Sequence, residues 1–247
     1  MPRPTKSRSA RTVHFTYRNR HIQLLLDKVL IFRLIKNLHG RFWGLAGISG
    51  MLTGFSVCFL IRPDMAHVST AFSDFGGDAR TAPYFAGSVF FAAYGLWRWR
   101  NYLARTWRRP TPVTGLITLT MFGLYLVALM PVTWRPIPHD IHLFGVALAG
   151  GGMLATVALD GVLAKTRGEG THTKLWRLVR LVALLLILWG GVLTLGSVEA
   201  VGWFNVSLLG ESLLLAGYYI WIVLRTVLGE GNRTVLGRIL RKLVLVD

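Results

Sequence analysis

Six apolar segments, 42–61, 84–97, 113–129, 141–163, 179–195 and 201–224, constrain this chain more than any other feature. At 1.5 Å per residue, several are long enough as helices to cross a hydrocarbon core of about 30 Å. The second is short as a purely apolar run, but the flanking Arg98 and Arg100 can lay their stems along apolar surface and reach the interface. A buried helical core would account for any one segment. Six of them with ordered charge between them fit a membrane protein better. The composition agrees: 53% of the residues are hydrophobic, 16% are charged, and the mean hydropathy is +0.48. A soluble domain of 247 residues carries more charge and breaks its apolar runs more often. The expected fold is all-α: a polytopic membrane helical bundle with six transmembrane helices.

The formal charge of +17 raises the question of a nucleic-acid partner. The positions of the cations answer it. They fall in four blocks: the N-terminal arm from Arg3 to Arg41, Arg98 to Arg109, Lys165 to Arg180, and Arg225 to Lys242. Only Arg62, Arg80 and Arg135 remain for the other loops. With six spans, all four blocks lie on one side. This is the positive-inside pattern, which places both termini in the cytoplasm of a multi-pass cell-membrane protein. The expected partners are membrane lipids, with anionic inner-leaflet lipid attracting the basic ends. No folded basic module for specific nucleic-acid binding is visible. Asp64, Asp74, Asp78, Asp140 and Glu199 sit in or beside the opposite loops. The single cysteine, Cys58, lies in the first span, which excludes an intramolecular disulfide, and reads as a small buried apolar residue.

Three regions follow. Residues 1–40 form a basic cytoplasmic arm, with 22–38 as an interfacial helix. Residues 41–228 form the transmembrane domain. Residues 229–247 form a basic amphipathic tail, with Val235, Leu236, Ile239, Leu240 and Leu243 opposite Arg238, Arg241 and Lys242. The short links 106–112, 130–138, 166–173 and 196–200 imply antiparallel neighbours in an up-and-down bundle. Small residues recur at Gly40, Gly44, Gly47, Gly50 and Gly54, and again from Gly145 to Gly152, where they permit close helix approach.

Polar residues in this setting are the functional candidates. Glu211 lies about nine residues into the sixth segment, roughly 13 Å deep. A carboxylate there costs about 2.5–3.5 kcal/mol, so it must face the interior, take up a proton or hold a partner. Ser212, Tyr218 and Tyr219 on the same helix are accessory donors or packing groups. His139 and His142 are three apart and can share a helix face, with Asp140 in the first turn complementing the helix dipole. The pair lacks a third ligand at helical spacing, so no metal is assigned. Ser73, Asp74, Gly76, Gly77 and Asp78 are turn formers in the first outer loop. If that loop folds inward, Asp74, His142 and Glu211 could converge as a candidate catalytic set, with Ser73, His139, Asp140 and Tyr218 as candidate binding residues. Asp160 is expected to pair with the basic loop near Lys165. No cofactor is called for: no span carries a buried lysine for a Schiff base, and no deep histidines sit in two spans for haem.

The stretch Phe72-Ser73-Asp74-Phe75-Gly76, followed by Pro83 and an aromatic-rich span, resembles a motif of bacterial six-helix membrane proteins. These are catalogued as domain of unknown function 998 and are distantly similar to the damage-regulated autophagy modulators. Ser73, Asp74 and Gly76 match that family's Ser-Asp-x-Gly element. Met130-Pro131 and His142 match its apolar-Pro step and following histidine. The resemblance covers 43–224 and implies fold and topology rather than activity. Two function classes stay open: a protein that binds or acts on lipid at an outward-facing polar pocket, and a non-catalytic assembly or regulatory protein or small-solute carrier.

Overall fold

The computed structural model describes residues 20–106, 111–130, 136–163, 174–198 and 201–228. The arm 1–19 and the tail 229–247, with the amphipathic helix expected there, lie outside the described residues. The chain divides into two units, 1–39 and 40–247. Of the first, the part from Arg20 is helical. The second is an all-α helical membrane bundle.

Six helices follow one another: α1 (Arg20–Ile61), α2 (Ala82–Thr106), α3 (Thr111–Leu129), α4 (Pro136–Leu163), α5 (Lys174–Gly196) and α6 (Ser207–Leu228). Among the described residues there is no strand. Prolines mark the starts. Pro83, Pro112 and Pro136 sit in the first turns of α2, α3 and α4, where a missing N–H leaves no hydrogen bond unmade. Pro63 follows the end of α1 and opens the short 3₁₀ helix Pro63–Met65.

Among the described residues, five stretches are long and apolar enough to cross a membrane: Gly40–Ile61, Pro112–Leu129, Ile137–Leu163, Arg177–Gly196 and Ser207–Thr226. The remaining helix is α2, whose second half carries Arg98, Arg100, Asn101 and Arg105. Its packing carries it alongside α1 nonetheless. Gly54 of α1 lies against Ser88, Gly47 against Gly95, Gly44 against Trp99, and Gly40 against Tyr102. The two helices are therefore antiparallel over 14 residues of α1, about 21 Å.

The same device joins the other pairs. Gly123 of α3 meets the backbone of Gly145 and Ala149 of α4, and Gly152 meets Thr120. Gly190 of α5 meets Gly210 and Leu214 of α6, and Gly217 meets Ala183 and Ile187. In hydrocarbon, helices gain little from hiding apolar surface, so association depends on van der Waals contact at close range. The expected glycine stripe on α1 thus faces α2 throughout. On α4 the small residues divide: Gly145 and Gly152 face α3, Gly150 approaches Leu214 of α6, and Gly151 faces open space.

Polar groups close the end of the bundle at Arg41 of α1 and the last turns of α6. Asp160 of α4 is fully buried, and its Oδ2 accepts hydrogen bonds from Trp221 Nε1 at 2.9 Å and Arg225 Nε at 2.6 Å. Arg225 Nη2 is also 2.6 Å from that oxygen. Arg41 Nε donates at 2.6 Å to the carbonyl of Thr226, one of the terminal carbonyls that α6 cannot satisfy itself. The expected pairing of Asp160 with the loop near Lys165 falls on residues outside those described; the bonds to Trp221 and Arg225 are interhelical. Asp160 and Arg225 lie at matching depth on parallel neighbours, and a buried pair excludes water better than an interfacial one.

Two outcomes test this packing. Gly123→Leu should destabilise the detergent-solubilised protein by about 1–3 kcal/mol through overpacking. Gly151→Leu, where an added Cβ meets nothing within 4 Å, should leave the thermal midpoint unchanged. Asp160→Ala should cost about 3–5 kcal/mol, because it leaves the Arg225 charge buried without its carboxylate. The double change Asp160→Leu with Arg225→Met should recover most of that loss, read by thermal unfolding of all three variants.

Candidate functional site

The loop between α1 and α2 folds inward over the bundle. Its centre is a second 3₁₀ helix, Phe72–Gly76, which covers Ser73, Asp74 and Gly76. Aromatic packing seats it. Phe72 stacks on Phe55 at 4.4 Å with the rings 19° apart, and Phe75 meets Phe59 edge-on at 4.8 Å. Phe55 in turn stacks on Phe85 of α2. Thr81 Oγ1 donates to the Phe75 carbonyl at 2.7 Å, and Leu208 N at the start of α6 donates to the Val68 carbonyl at 3.1 Å. The outer rim is held by charge. Arg62 bonds Asp64 at 2.6–3.1 Å and is ion-paired with Asp78. The hydrogen bond from Arg62 holds the exposed Asp64 carboxyl down at about 2 and raises the guanidinium in turn.

Glu211 is placed differently from the expectation. Residues 201–206 are not helical: Val201 N and Gly202 N turn back on the Val198 carbonyl, Gly202 takes φ 60°, and Ser197 Oγ accepts from Val206 N. Helix α6 starts at Ser207, so Glu211 lies four residues in, about 6 Å from the helix start, rather than mid-span. There its Oε2 accepts the N–H of Phe72 at 2.6 Å. Phe72 is the first residue of the 3₁₀ helix, and that donor has no partner within its own turn. Asp74 Oδ2 accepts the neighbouring Ala71 N–H at 2.8 Å. The two carboxyl groups therefore take adjacent N–H groups at the N-terminus of one short helix, and Asp74 is close enough to act electrostatically on Glu211.

His142 is buried on α4, and its Nδ1 lies 2.6 Å from the Met130 carbonyl at the end of α3. A carbonyl only accepts, so Nδ1 carries the hydrogen. Nε2 is buried and has no partner among the described residues. Asp74 also lies within electrostatic reach of His142, as does His139. The remaining candidates sit apart. Helix α4 starts at Pro136, so Asp140 is beyond its first turn and is exposed. Tyr218 is fully buried deeper in α6, beside Thr120 and stacked on Trp221 at 5.4 Å. Among the described residues, no hydrogen bond joins Asp74, His142 and Glu211 to one another, and no group of three His, Cys, Asp or Glu is placed to share a metal ion.

Beneath the loop is a cavity of about 570 Å³, part of it open to the surroundings. All six helices contribute to its wall, which includes Met51, Phe55, Phe85, Leu124, Val146, Met153 and Leu215. Its polar lining is confined to Ser73, Glu211 and Thr194, with Thr194 Oγ1 buried and unbonded among the described residues. The expectation was a polar pocket; the apolar lining of this cavity and Thr194 were not foreseen from sequence. Its wall is built from ordinary apolar residues, and only the six-helix arrangement leaves the space between them. A comparison with protein-family models, curated proteins and solved structures finds no match in any of the three.

Proposed function

We propose that this chain is a multi-pass cell-membrane protein that binds lipid, holding an acyl chain in the central cavity beneath the inward-folded loop. The observation that carries the reading is the cavity itself, with apolar walls from all six helices and polar groups gathered at the loop end. A polar substrate would leave its groups unpaired against Met51, Phe55, Leu124 and Leu215, whereas an acyl chain makes no such demand.

Binding is favoured over catalysis because His142, Asp74 and Glu211 each spend a hydrogen-bonding position on backbone rather than on one another. It is favoured over transport because the opposite half of the bundle is filled by Trp99, Tyr218 and Trp221 and braced by Asp160 with Arg225. The resemblance to the domain of unknown function 998 proteins, carried by Ser73, Asp74, Gly76 and His142, belongs to the same proposal: its motif residues fall on the loop and helix end that cap the cavity. The basic blocks place the opposite ends of the helices in the cytoplasm, with anionic inner-leaflet lipid against them.

A diacylglycerol carrying a photoactivatable diazirine in its acyl chain tests the site. Crosslinks should map to Met51, Phe55, Leu124 or Met153, and Leu215→Trp should reduce them about tenfold by filling the space. Crosslinks confined to the outer surfaces of the helices would overturn the reading. Orientation is checked in a Cys58→Ala background. An impermeant maleimide on intact cells should label Gly77→Cys, in the loop, and should reach Arg105→Cys only after permeabilisation. The reverse order would overturn the topology.

A further inference from the structure

We propose that this cavity selects lipids by their headgroup, taking one that donates hydrogen bonds and carries no net negative charge, such as a hydroxyl or a primary ammonium. The inference rests on the lipid-binding reading above and adds the chemistry of the head. It stands on the groups that the fold collects at the polar end. Glu211 lines the cavity, and among the described residues its Oε2 alone is used, by Phe72 N–H. Asp74 follows Ser73, which also lines it, and uses Oδ2 for Ala71 N–H. Both carboxyl groups thus retain an oxygen able to accept.

His142 supplies the third acceptor. Val146, Ala149 and Met153 line the cavity from α4, and His142 is four residues before the first of them. The spacing 142, 146, 149, 153 is one face of a helix, so His142 continues the cavity-facing stripe by one turn toward the loop. Its Nδ1–H is committed to the Met130 carbonyl, which leaves Nε2 of the neutral ring as a bare lone pair. The ring is 1% exposed and Nε2 meets no donor among the described residues, so a hydrogen-bonding position is buried and unused beside Asp74. A buried acceptor in that state calls for a donor. Thr194 Oγ1 is likewise buried and unbonded at the cavity wall.

The cations of this loop do not oppose the assignment. Arg62 is engaged with Asp64 and Asp78, and Arg80 lies 3.6 Å from Asp78. None of these arginines lines the cavity. Among the described residues, a phosphate monoester or other anionic head would therefore meet two carboxyl groups and a lone pair with no cation lining the cavity. A hydroxyl or ammonium would meet acceptors alone.

The test is competition against the photoactivatable diacylglycerol, using lipids of identical acyl chains in detergent micelles with the full chain. Phosphatidylethanolamine, which has N–H donors, should compete about tenfold or more better than phosphatidylcholine, which has the same net charge and none, since hydrogen bonds to charged groups contribute about 1.5–3 kcal/mol. Unlabelled diacylglycerol should exceed phosphatidic acid by a similar factor. The stronger of phosphatidylethanolamine and diacylglycerol then tells whether an ammonium or a hydroxyl is preferred. Glu211→Gln keeps an acceptor for Phe72 and replaces the other oxygen by a donor, so it should narrow both ratios while acyl-chain crosslinks still map to the cavity. Asp74→Asn should narrow them as well, should Glu211→Gln fail to fold. Equal competition by all four lipids, with crosslinks still in the cavity, would overturn the headgroup inference and leave chain binding intact. Preference for phosphatidic acid would overturn it too.

Discussion

Close backbone approach at paired small residues is the contact on which the rest of this bundle depends. Lipid offers helices little reason to associate, since the surrounding chains are as apolar as leucine. Gly47 against Gly95, Gly123 against Gly145, and Gly190 against Gly210 let three antiparallel pairs meet at backbone distance, where dispersion contacts are dense. Once pairs are drawn together in this way, the space among them is set by what remains between the hairpins. Large rings fill it at one end: Trp99, Tyr218 and Trp221 are all fully buried. At the other end the facing residues are Val89, Val146, Ala149 and Leu215, which are too short to meet, and a cavity results.

That asymmetry explains why the two ends treat polar groups differently. At the filled end, Asp160, Trp221 and Arg225 satisfy one another, and Arg41 satisfies the carbonyl of Thr226. The charges there are matched, and their function is to hold α1, α4 and α6 in register. At the cavity end, the polar groups hold backbone with one atom and leave another over. Glu211 caps the 3₁₀ helix of the loop through Phe72, Asp74 caps it through Ala71, and His142 binds the end of α3 through Met130. Each therefore has a structural role that would suffice for its presence. What separates the two ends chemically is that the leftover groups of Glu211 and Thr194 line a cavity, whereas those of the other end lie in a packed core.

Much of the architecture was legible from the chain. The ends of α1 and α3 at Ile61 and Leu129 coincide with the ends of apolar runs, because these helices stop where hydrocarbon does. The α1 glycine stripe was visible by spacing, and so was the inward potential of the loop at Ser73 and Asp74. What failed was depth and partnership. The run 201–206 is as apolar as a helix end, yet it forms a turn with Gly202 at positive φ, which moved Glu211 from mid-span to the first turns of α6. Hydropathy does not distinguish an apolar turn from a helix of the same composition.

Partnership was illegible for a different reason. Asp160 was assigned to the nearest cations along the chain, and nothing in the sequence nominated Arg225, which it bonds from 65 residues away. Parallel helices put residues of equal depth beside each other, and Asp160 and Arg225 both stand near the same end of their apolar segments. Equal depth would have nominated the pair, but so would it have nominated several other cations of the basic blocks. The choice among them is made by which helices are neighbours, and that is decided by the glycine contacts rather than by the charges. The same logic governs the cavity. His142 and Glu211 stand near the same end of α4 and α6, and Asp74 reaches both because the loop between α1 and α2 is drawn in by Phe72 and Phe75. Those two phenylalanines are thus the link between packing and chemistry: without their stacking on Phe55 and Phe59, the acceptors of the loop would face water and the cavity would have no polar end.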